Sequence, residues 1–345
     1  MRKRINNLFF AIGVTAVVVM LCTFDVSFAE LWADIRQANY WLAAILGLWL
    51  LLYVLNTWAW RIIIRGSGPC PIGFGRLLKL TVTGFALNYA TPMGMVGGEA
   101  YRIMELSRYM DTQRATSSVV LFVMMHVFSH FWFWVTSIVV YLVLAFGGGL
   151  PLDTAMKVVL TLAALFCGGG IYLFLRGYRH GLTVKLMRIV GRVPGLRRWG
   201  RNFSERHRED LEKIDRQISE LHSQNKRSFF GSFFLEYAGR LLQSFEIFFM
   251  LRLFGIDGGG GAEGCLLVFL HSFLILAFTS LFANLLGFLP LQIGGREGGF
   301  VMSVAQMGMS GGIAMFVSII CRVRELFWTS VGLLLMKVGN PAPKR

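Results

Sequence analysis

Five charged residues lie beside glycines or inside otherwise apolar stretches: Glu99, Arg102, Arg296, Glu297 and Arg322. An ionisable group at the centre of a membrane helix costs roughly 2.5–3.5 kcal/mol on insertion scales, so each is a functional candidate that faces the protein interior. Arginine presents a planar fork of donors that holds a phosphate through two hydrogen bonds. The set predicts a site for an anionic head group. The alternative is that these charges pair with one another and tie helices together.

The same charges fall in two matched motifs. Residues 88–102 read NYATPMGMVGGEAYR, and residues 284–299 read NLLGFLPLQIGGREGG. Each motif has an Asn, then a Pro, then a glycine pair (Gly97 and Gly98, Gly294 and Gly295), with an acid seven residues after the proline. Broken hydrophobic segments at corresponding places in two halves are typical of a transporter site, because the freed backbone groups must line a polar cavity. Two ordinary Gly-rich turns are the alternative.

Four further ionisable residues lie in predicted spans: His126, His130, Glu236 and Arg240. The two histidines are four residues apart, but no acid or third histidine accompanies them, so we predict no metal site. Interhelical hydrogen bonds, a proton relay or contact with the head group are the alternatives for them. Glu236 and Arg240 have the i, i+4 spacing of a helical ion pair.

The sequence shows no nucleotide-binding loop, no serine-nucleophile motif and no cysteine pair at metal spacing. We therefore expect no cofactor, no catalytic residue and no enzymatic activity.

The composition indicates an all-α polytopic integral membrane protein. Of the 345 residues, 55% are hydrophobic, the mean hydropathy is +0.59, and several apolar runs reach the roughly 20 residues needed to cross a bilayer. We predict about eight transmembrane segments with two Gly/Pro-broken, re-entrant helices in a two-half internal repeat. The net charge of +15 lies mostly in loops and at membrane edges. We therefore attribute it to the orientation of the chain in the membrane and predict no nucleic-acid partner.

Charge and hydropathy divide the chain into three parts. Residues 1–175 form the first transmembrane half with the motif at 88–102, and residues 229–345 form the second half with the motif at 284–299. Between them, residues 176–228 form a basic cytoplasmic linker that is partly an amphipathic helix. Its stretch 176–227 holds fourteen Lys and Arg against six Asp and Glu, which fixes it in the cytoplasm. The segment after the first span has more acids (Asp25, Glu30 and Asp34) than bases (Arg36), which predicts a cytoplasmic N-terminus.

The late apolar segments allow two arrangements. Residues 264–289, 302–320 and 323–338 can each cross the membrane, which gives eight crossings and a cytoplasmic C-terminus. Alternatively, residues 264–299 form a hairpin that enters from outside, and the two halves then have inverted topology with the C-terminus outside.

The two motifs, TPMGMVGGEAYR and FLPLQIGGREGG, together with Arg322, resemble the paired signatures of the flippase-like membrane domain of lysylphosphatidylglycerol synthetases. The resemblance covers nearly the whole chain and implies that the glycine pairs and the five charged residues named first bind substrate. It also implies movement of lipids across a membrane. Related chains tend to carry an Arg in the span after the first motif, where this chain has His126 and His130, so the resemblance leaves the substrate open.

We therefore expect a flippase-like lipid transporter of a bacterial inner membrane. Its expected partners are membrane lipids, either an anionic phospholipid or a polyprenyl-phosphate-linked lipid, with a lipid-modifying enzyme and self-association as further possibilities. The alternative function is a non-transporting membrane partner that presents a lipid to a separate glycosyl- or aminoacyl-transferase.

Overall fold

The computed structural model describes residues 28–90, 97–180, 226–285 and 295–338, together with Ala11 and Thr15. Within these ranges the chain forms nine α-helices and no strands. In chain order the helices are α1 (Phe28–Gly66), α2 (Phe74–Ala90), α3 (Gly97–Leu106), α4 (Thr112–Phe146), α5 (Thr154–His180), α6 (Lys226–Leu253), α7 (Gly261–Leu285), α8 (Gly295–Gln306) and α9 (Gly311–Lys337).

Local signals set several helix ends. Asp111 caps α4, since its carboxylate accepts from the backbone N–H groups of Gln113 at 2.9 Å and Arg114 at 3.4 Å. The glycine run before α7 takes positive φ angles from 67° to 96° over residues 258–261. Side chains rarely adopt such angles, so this turn depends on glycine.

Two antiparallel helical hairpins carry the two sequence motifs. The α2–α3 hairpin ends its first helix at Ala90 and begins its second at Gly97, and the α7–α8 hairpin does so at Leu285 and Gly295. Each hairpin is preceded by a long helix and followed by another, so α1–α4 and α6–α9 have the same order of elements. Helix α1 packs against α6, α2 packs against α9 and α7 packs against α4. The two halves are therefore interlocked.

One face of the bundle holds the end of α1, the start of α4 and the end of α9. Arg114 of α4 donates to the carbonyl of Ile64 at 3.1 Å, and Lys79 of α2 donates to the carbonyl of Val338 at 2.6 Å. We call this the basic face, because its helix ends and loops carry Arg65, Arg76, Lys79, Arg108 and Arg114.

The opposite, far face holds the end of α6 and the start of α9. Trp41 of α1 packs against Phe249 of α6 with ring centroids 5.4 Å apart, and Phe254 packs against Phe316 of α9 at 4.9 Å. Helix α9 therefore runs from the far face to the basic face, in the same sense as α1. The α2–α3 hairpin begins at the basic face and the α7–α8 hairpin begins at the far face.

Two apolar clusters fill the interior. The one nearer the basic face contains Trp60, Leu77 and Met336, and the one nearer the far face contains Met250 and Val317. Charged and polar side chains lie where the clusters meet, and we call them the polar layer. Its members are Asn88, Tyr89, Glu99, Arg102, His126, His130, Glu236, Arg240, Glu246, Arg296, Glu297, Arg322, Arg324 and Glu325.

Four helical stretches are long and apolar enough to cross a membrane among the described residues: Tyr40–Gly66, Thr112–Phe146, Thr154–Arg176 and Gly261–Leu285. Helices α6 and α9 have 28 and 27 residues, which is also sufficient length, but they carry charges of the polar layer. The prediction of a multi-pass, all-α membrane protein is confirmed. The counts of eight segments and two re-entrant helices stay predictions.

One predicted boundary is wrong. Instead of two spans at 302–320 and 323–338, the chain forms the short α8, which ends at Gln306, and one continuous helix, α9. The sequence suggested a break at Arg322, Arg324 and Glu325, since charges usually mark a membrane edge. In the structure these three side chains are buried and paired near the middle of α9.

Other predictions lie outside the described residues. These are the first span at 8–28, nearly all of the basic linker with its amphipathic helix, Pro92 of the first motif and Pro290 and Gly294 of the second. The proposed division of the chain into two halves and a linker stays a prediction.

Candidate functional site

The starting point of the site is the contact between the two hairpins. Arg296, in the first turn of α8, donates through Nη1 to the hydroxyl of Tyr89, one residue before the end of α2, at 2.9 Å. Arg296 also forms a salt bridge with Glu325 of α9, and the Tyr89 hydroxyl donates to the same carboxylate oxygen. The side chain of Arg296 is 14% exposed, whereas that of Glu325 is fully buried. The guanidinium therefore lies at the junction of α2, α8 and α9.

Arg322 lies beside this junction, held by two carboxylates. Its Nη2 and Nε lie 2.7 Å and 3.1 Å from the same oxygen of Glu297, and its Nη1 lies 3.6 Å from Glu325. Glu297 is 36% exposed, while Arg322 is 6% exposed. The carboxylate of Glu297 thus covers a buried guanidinium from the accessible side.

A third arginine of α9 is locked into the structure. Arg324 bonds to Glu246 of α6 at 2.9 Å and stacks over the ring of Trp49 at 3.8 Å, and the Trp49 indole donates to the other oxygen of Glu246 at 3.0 Å. The aromatic stacking and the ion pair together offset the cost of burying the guanidinium charge. Arg324 therefore ties α9 to α6 and α1.

The first motif forms a neighbouring network at the end of α2. Glu99 accepts from Arg102 at 3.2 Å and from the side-chain amide of Asn88 at 3.0 Å. The backbone N–H of Gly98 donates to the side-chain oxygen Oδ1 of Asn88 at 2.9 Å. Since Asn88 precedes Tyr89, this network and the Arg296 junction are adjacent along α2.

Arg102 is held in an aromatic box. Its guanidinium carbon lies 4.7 Å from the ring centre of Phe85, 5.3 Å from that of Phe122 and 5.8 Å from that of Trp60. The residue is 1% exposed, and it also donates to the carbonyl of Thr81 at 3.2 Å. Arg102 is thus fixed in place, with Glu99 as the member of the pair nearer to solvent.

The secondary candidates form a separate cluster between α4 and α6. His126 Nδ1 lies 2.8 Å from Glu236, the guanidinium of Arg240 lies against Nε2 of the same ring, and Arg240 also donates to Gln243 at 3.2 Å. His130 bonds through Nδ1 to the carbonyl of His126 at 2.9 Å. Instead of a simple helical pair, Glu236 and Arg240 hold the imidazole of His126 between them.

The structure brings most of the predicted residues into one layer. Arg296, Glu297 and Arg322 meet at the hairpin junction, and Glu99 and Arg102 pair beside it. Gly97 and Gly98 are buried in the first turn of α3, and Gly295 begins α8. Whether these residues bind substrate stays a prediction.

Sequence reasoning missed the partners that organise the site. Tyr89 is not among the predicted site residues although it stands inside the first motif, and Phe85 is not among them either. The position of Tyr89 beside the motif's Asn, at the end of an apolar run, was the available signal. For Glu325, the available signal was its place three residues after Arg322.

The layer combines arginines with helix N-termini, which are features suited to an anion. Helices α3 and α8 begin within it, so the positive ends of two helix dipoles point toward the arginines. Among the described residues no group of three His, Cys, Asp or Glu side chains is arranged to hold a metal ion.

A protein-family model described as the lysylphosphatidylglycerol synthase TM region matches residues 8–332. No curated protein and no solved structure matches the chain. The family match spans both hairpins and all the candidate residues, and it confirms the resemblance found in the two motifs. The chain belongs to the family of the lysylphosphatidylglycerol synthase TM region.

Proposed function

We propose that the chain is a flippase-like lipid transporter of a bacterial inner membrane. It binds an anionic phospholipid or a polyprenyl-phosphate-linked lipid by its phosphate head group. The observation that supports this proposal is the contact of Tyr89 with Arg296. Because the two hairpins begin at opposite faces of the bundle, their junction is a place that a head group can reach from either side.

In this proposal Arg296 and Arg322 contact the phosphate. The Arg296 side chain is partly exposed, and the buried Arg322 is covered by the more exposed Glu297. Both arginines have a carboxylate partner that a phosphate can replace with similar geometry. Glu297 is that partner for Arg322, since it approaches from the accessible side. Arg102 is enclosed by aromatic rings, so its role is to orient Glu99 and not to touch the lipid.

The membrane arrangement we propose has eight segments. Six segments cross: the span predicted from the sequence at residues 8–28, and the helices α1, α4, α5, α6 and α9. The α2–α3 and α7–α8 hairpins are re-entrant and enter from opposite sides. The N-terminus and the end of α9 are cytoplasmic, because the end of α9 lies on the same basic face as the end of α1.

The proposed activity is movement of lipid without catalysis. The family match supports a role with membrane lipids, and the polar layer offers arginines and helix N-termini suited to an anion. The acyl or prenyl chains would stay in the bilayer while the head group passes the junction.

The test compares lipids that stay bound to purified protein by native mass spectrometry. Wild type is set beside Arg296→Gln and the control Arg252→Gln, which removes the same charge from an exposed position in the last turn of α6. The Arg296→Gln variant is expected to fold, because Glu325 keeps Arg322 at 3.6 Å and Arg324 at 3.4 Å. Thermal unfolding of each variant checks this expectation.

We expect one anionic lipid to be enriched in wild type and Arg252→Gln and lost in Arg296→Gln. That lipid, reconstituted with the protein alone in liposomes, is then expected to cross the bilayer. Equal retention in all three proteins would remove Arg296 from the site. Retention without movement would favour the alternative function, presentation of a lipid to a separate transferase.

A further inference from the structure

The cluster of His126, Glu236 and Arg240 has no part in the proposed head-group site, yet it is buried in the same polar layer. Glu236 is 1% exposed, whereas the His126 side chain is 26% exposed although it lies inside the bundle. The imidazole is therefore the more accessible member of this pair. Among the described residues, Oε1 of Glu236 has no hydrogen-bond donor, so hydrogen bonding supports the ionised carboxylate through Oε2 alone.

The geometry fixes the direction in which a proton can pass. Nδ1 of His126 lies 2.8 Å from Glu236, and Nη2 of Arg240, which can only donate, lies against Nε2 and 3.2 Å from Nδ1. The neutral ring with its proton on Nδ1 satisfies both neighbours. When Arg240 moves away, Nε2 can accept a proton from water, and the Nδ1 proton can pass to Oε2 of Glu236. The imidazole stays neutral and Glu236 becomes neutral, so the net change is one proton taken up.

The surrounding charges link this cluster to the head-group site. The charged groups that act on both His126 and Glu236 are Arg102 from α3 and Arg240 from α6. Arg102 is itself influenced by Glu99 of its own helix and by Tyr53 of α1, and His130 of α4 is influenced by Arg240 and His126. From α2, Phe85 packs against Arg102 on one side and against the His126 ring at 5.8 Å on the other. An anion bound nearby offsets the positive charge of Arg102 and Arg240 and so favours the neutral form of Glu236.

We propose that His126 and Glu236 form a proton-binding site that couples lipid movement to proton uptake, with His126 as the entry and Glu236 as the carrier. This proposal rests on the proposed function, since it assigns the energy source of the same transporter. Binding of an anionic head group brings one proton with it, and release of the head group returns that proton. A proton gradient across the membrane would therefore drive the lipid in one direction.

The first experiment does not depend on lipid. Infrared spectra of purified protein in detergent are recorded while the pH is lowered, and the absorbance of protonated carboxyl groups is followed. Glu236→Gln should lack one component of the carboxyl absorbance that wild type shows. The control is Glu263→Gln, which changes an exposed residue at the start of α7. This control should lose only the absorbance of an ordinary solvated carboxyl group. His126→Gln, which can still donate to Glu236, should shift the titration of that component.

The second experiment measures proton uptake when lipid is added. Phosphatidylglycerol or a polyprenyl phosphate is added to protein in weakly buffered detergent with a pH indicator, and phosphatidylcholine is the neutral control. We expect wild type to take up roughly one proton per bound anionic lipid and Glu236→Gln to bind the lipid without uptake. Bound lipid is counted by native mass spectrometry.

The outcomes separate this proposal from the one it rests on. If wild type retains no anionic lipid, the proposed function fails. The infrared titration still decides whether Glu236 takes up a proton, and spectra of Glu236→Gln identical to wild type overturn the proton site. Two results would leave the transporter proposal standing but show that proton coupling is wrong. In both, wild type binds and moves lipid. Either Glu236→Gln then takes up as many protons as wild type, or wild type takes up no proton. Thermal unfolding of His126→Gln and Glu236→Gln establishes that both fold.

Discussion

At the scale of single residues, Glu297 has the most informative position in the site. It lies in the first turn of α8, where an acid is favoured by the helix dipole, and it pairs with the buried Arg322 from the accessible side. An arriving phosphate would compete with this carboxylate for the same donors. In the proposed function, Glu297 is therefore the partner of Arg322 that a bound phosphate replaces.

This role predicts that Glu297→Gln binds the head group more tightly. The amide still accepts a hydrogen bond from Arg322 but gives up the charge–charge attraction, which for a partly exposed pair is about 1 kcal/mol, or about fivefold in affinity. Lipid retention of purified protein, measured against increasing competing phosphatidylglycerol, checks the change.

Glu263→Gln serves as the control for Glu297→Gln, because it removes an equivalent charge from the first turn of α7, an exposed position. It should leave retention unchanged. Weaker retention in Glu297→Gln would mean that the carboxylate helps to bind the lipid, for example by contacting a positively charged part of the head group.

Sequence reasoning succeeded with the charged residues but not with their partners. An arginine or glutamate in an apolar stretch is visible in the sequence because its burial is costly. The residue that offsets this cost can be far away: Tyr89 and Arg296 are separated by 207 positions, and Trp49 and Glu246 by 197. Such pairs are set by helix packing, which a single sequence does not reveal.

At the scale of helices, two glycines allow α2 to pack closely against α3 and α9. A Cβ on Gly98 would lie 2.1 Å from the backbone carbonyl of Gly84, so α3 could not approach α2 as it does. A Cβ on Gly332 of α9 would lie 2.4 Å from the Cβ of Ala86 and 3.0 Å from the carbonyl of Val82, both on α2. Helix α2 is thus packed against α3 on one side and α9 on the other without space for a methyl group.

We predict that Gly98→Ala and Gly332→Ala each lower stability by about 1–3 kcal/mol, the usual cost of forcing extra volume into packed structure. The measurement is thermal unfolding in detergent, together with lipid retention, since a displaced α2 also moves Tyr89. Gly47→Ala is the control, because nothing lies within 4 Å of its added methyl group in α1. It should be neutral or stabilising, as alanine is the better helix former. Equal stability of all three variants would show that α2 can shift at no cost.

The helices themselves were largely predictable, because apolar length and glycine positions are local signals. The error at α9 has a physical cause: Arg322, Arg324 and Glu325 resemble a membrane edge when their partners on α6 and α8 are unknown. Because Glu297 pairs with Arg322 and Glu246 pairs with Arg324, these charges can lie in the middle of one helix. Local sequence gives the cost of a buried charge but not the contacts that offset it.

At the scale of the whole molecule, the two halves share their packing. The most extensive contact joins α1 to α6, the helices that precede the two hairpins. The hairpins begin at opposite faces and their inner ends meet in the polar layer, between the two apolar clusters. In this arrangement the polar layer separates the two faces. Passage of a head group would require its ion pairs to exchange partners one at a time, since leaving a buried charge unpaired is costly.

The arrangement also predicts the side of the membrane on which α9 begins and ends. In a background without the native cysteines, we would introduce Cys at Ser310, an exposed residue before α9, and separately at Val338, an exposed residue after it. A membrane-impermeant maleimide should label Ser310→Cys in spheroplasts and Val338→Cys only after the membrane is opened. The reason is that α9 runs parallel to α1, whose end lies on the basic face with Val338.

With three crossings after α6, position 310 would instead lie within the bilayer and resist labelling under both conditions. Labelling of Val338→Cys in sealed spheroplasts would place the basic face outside, contrary to the positive-inside rule.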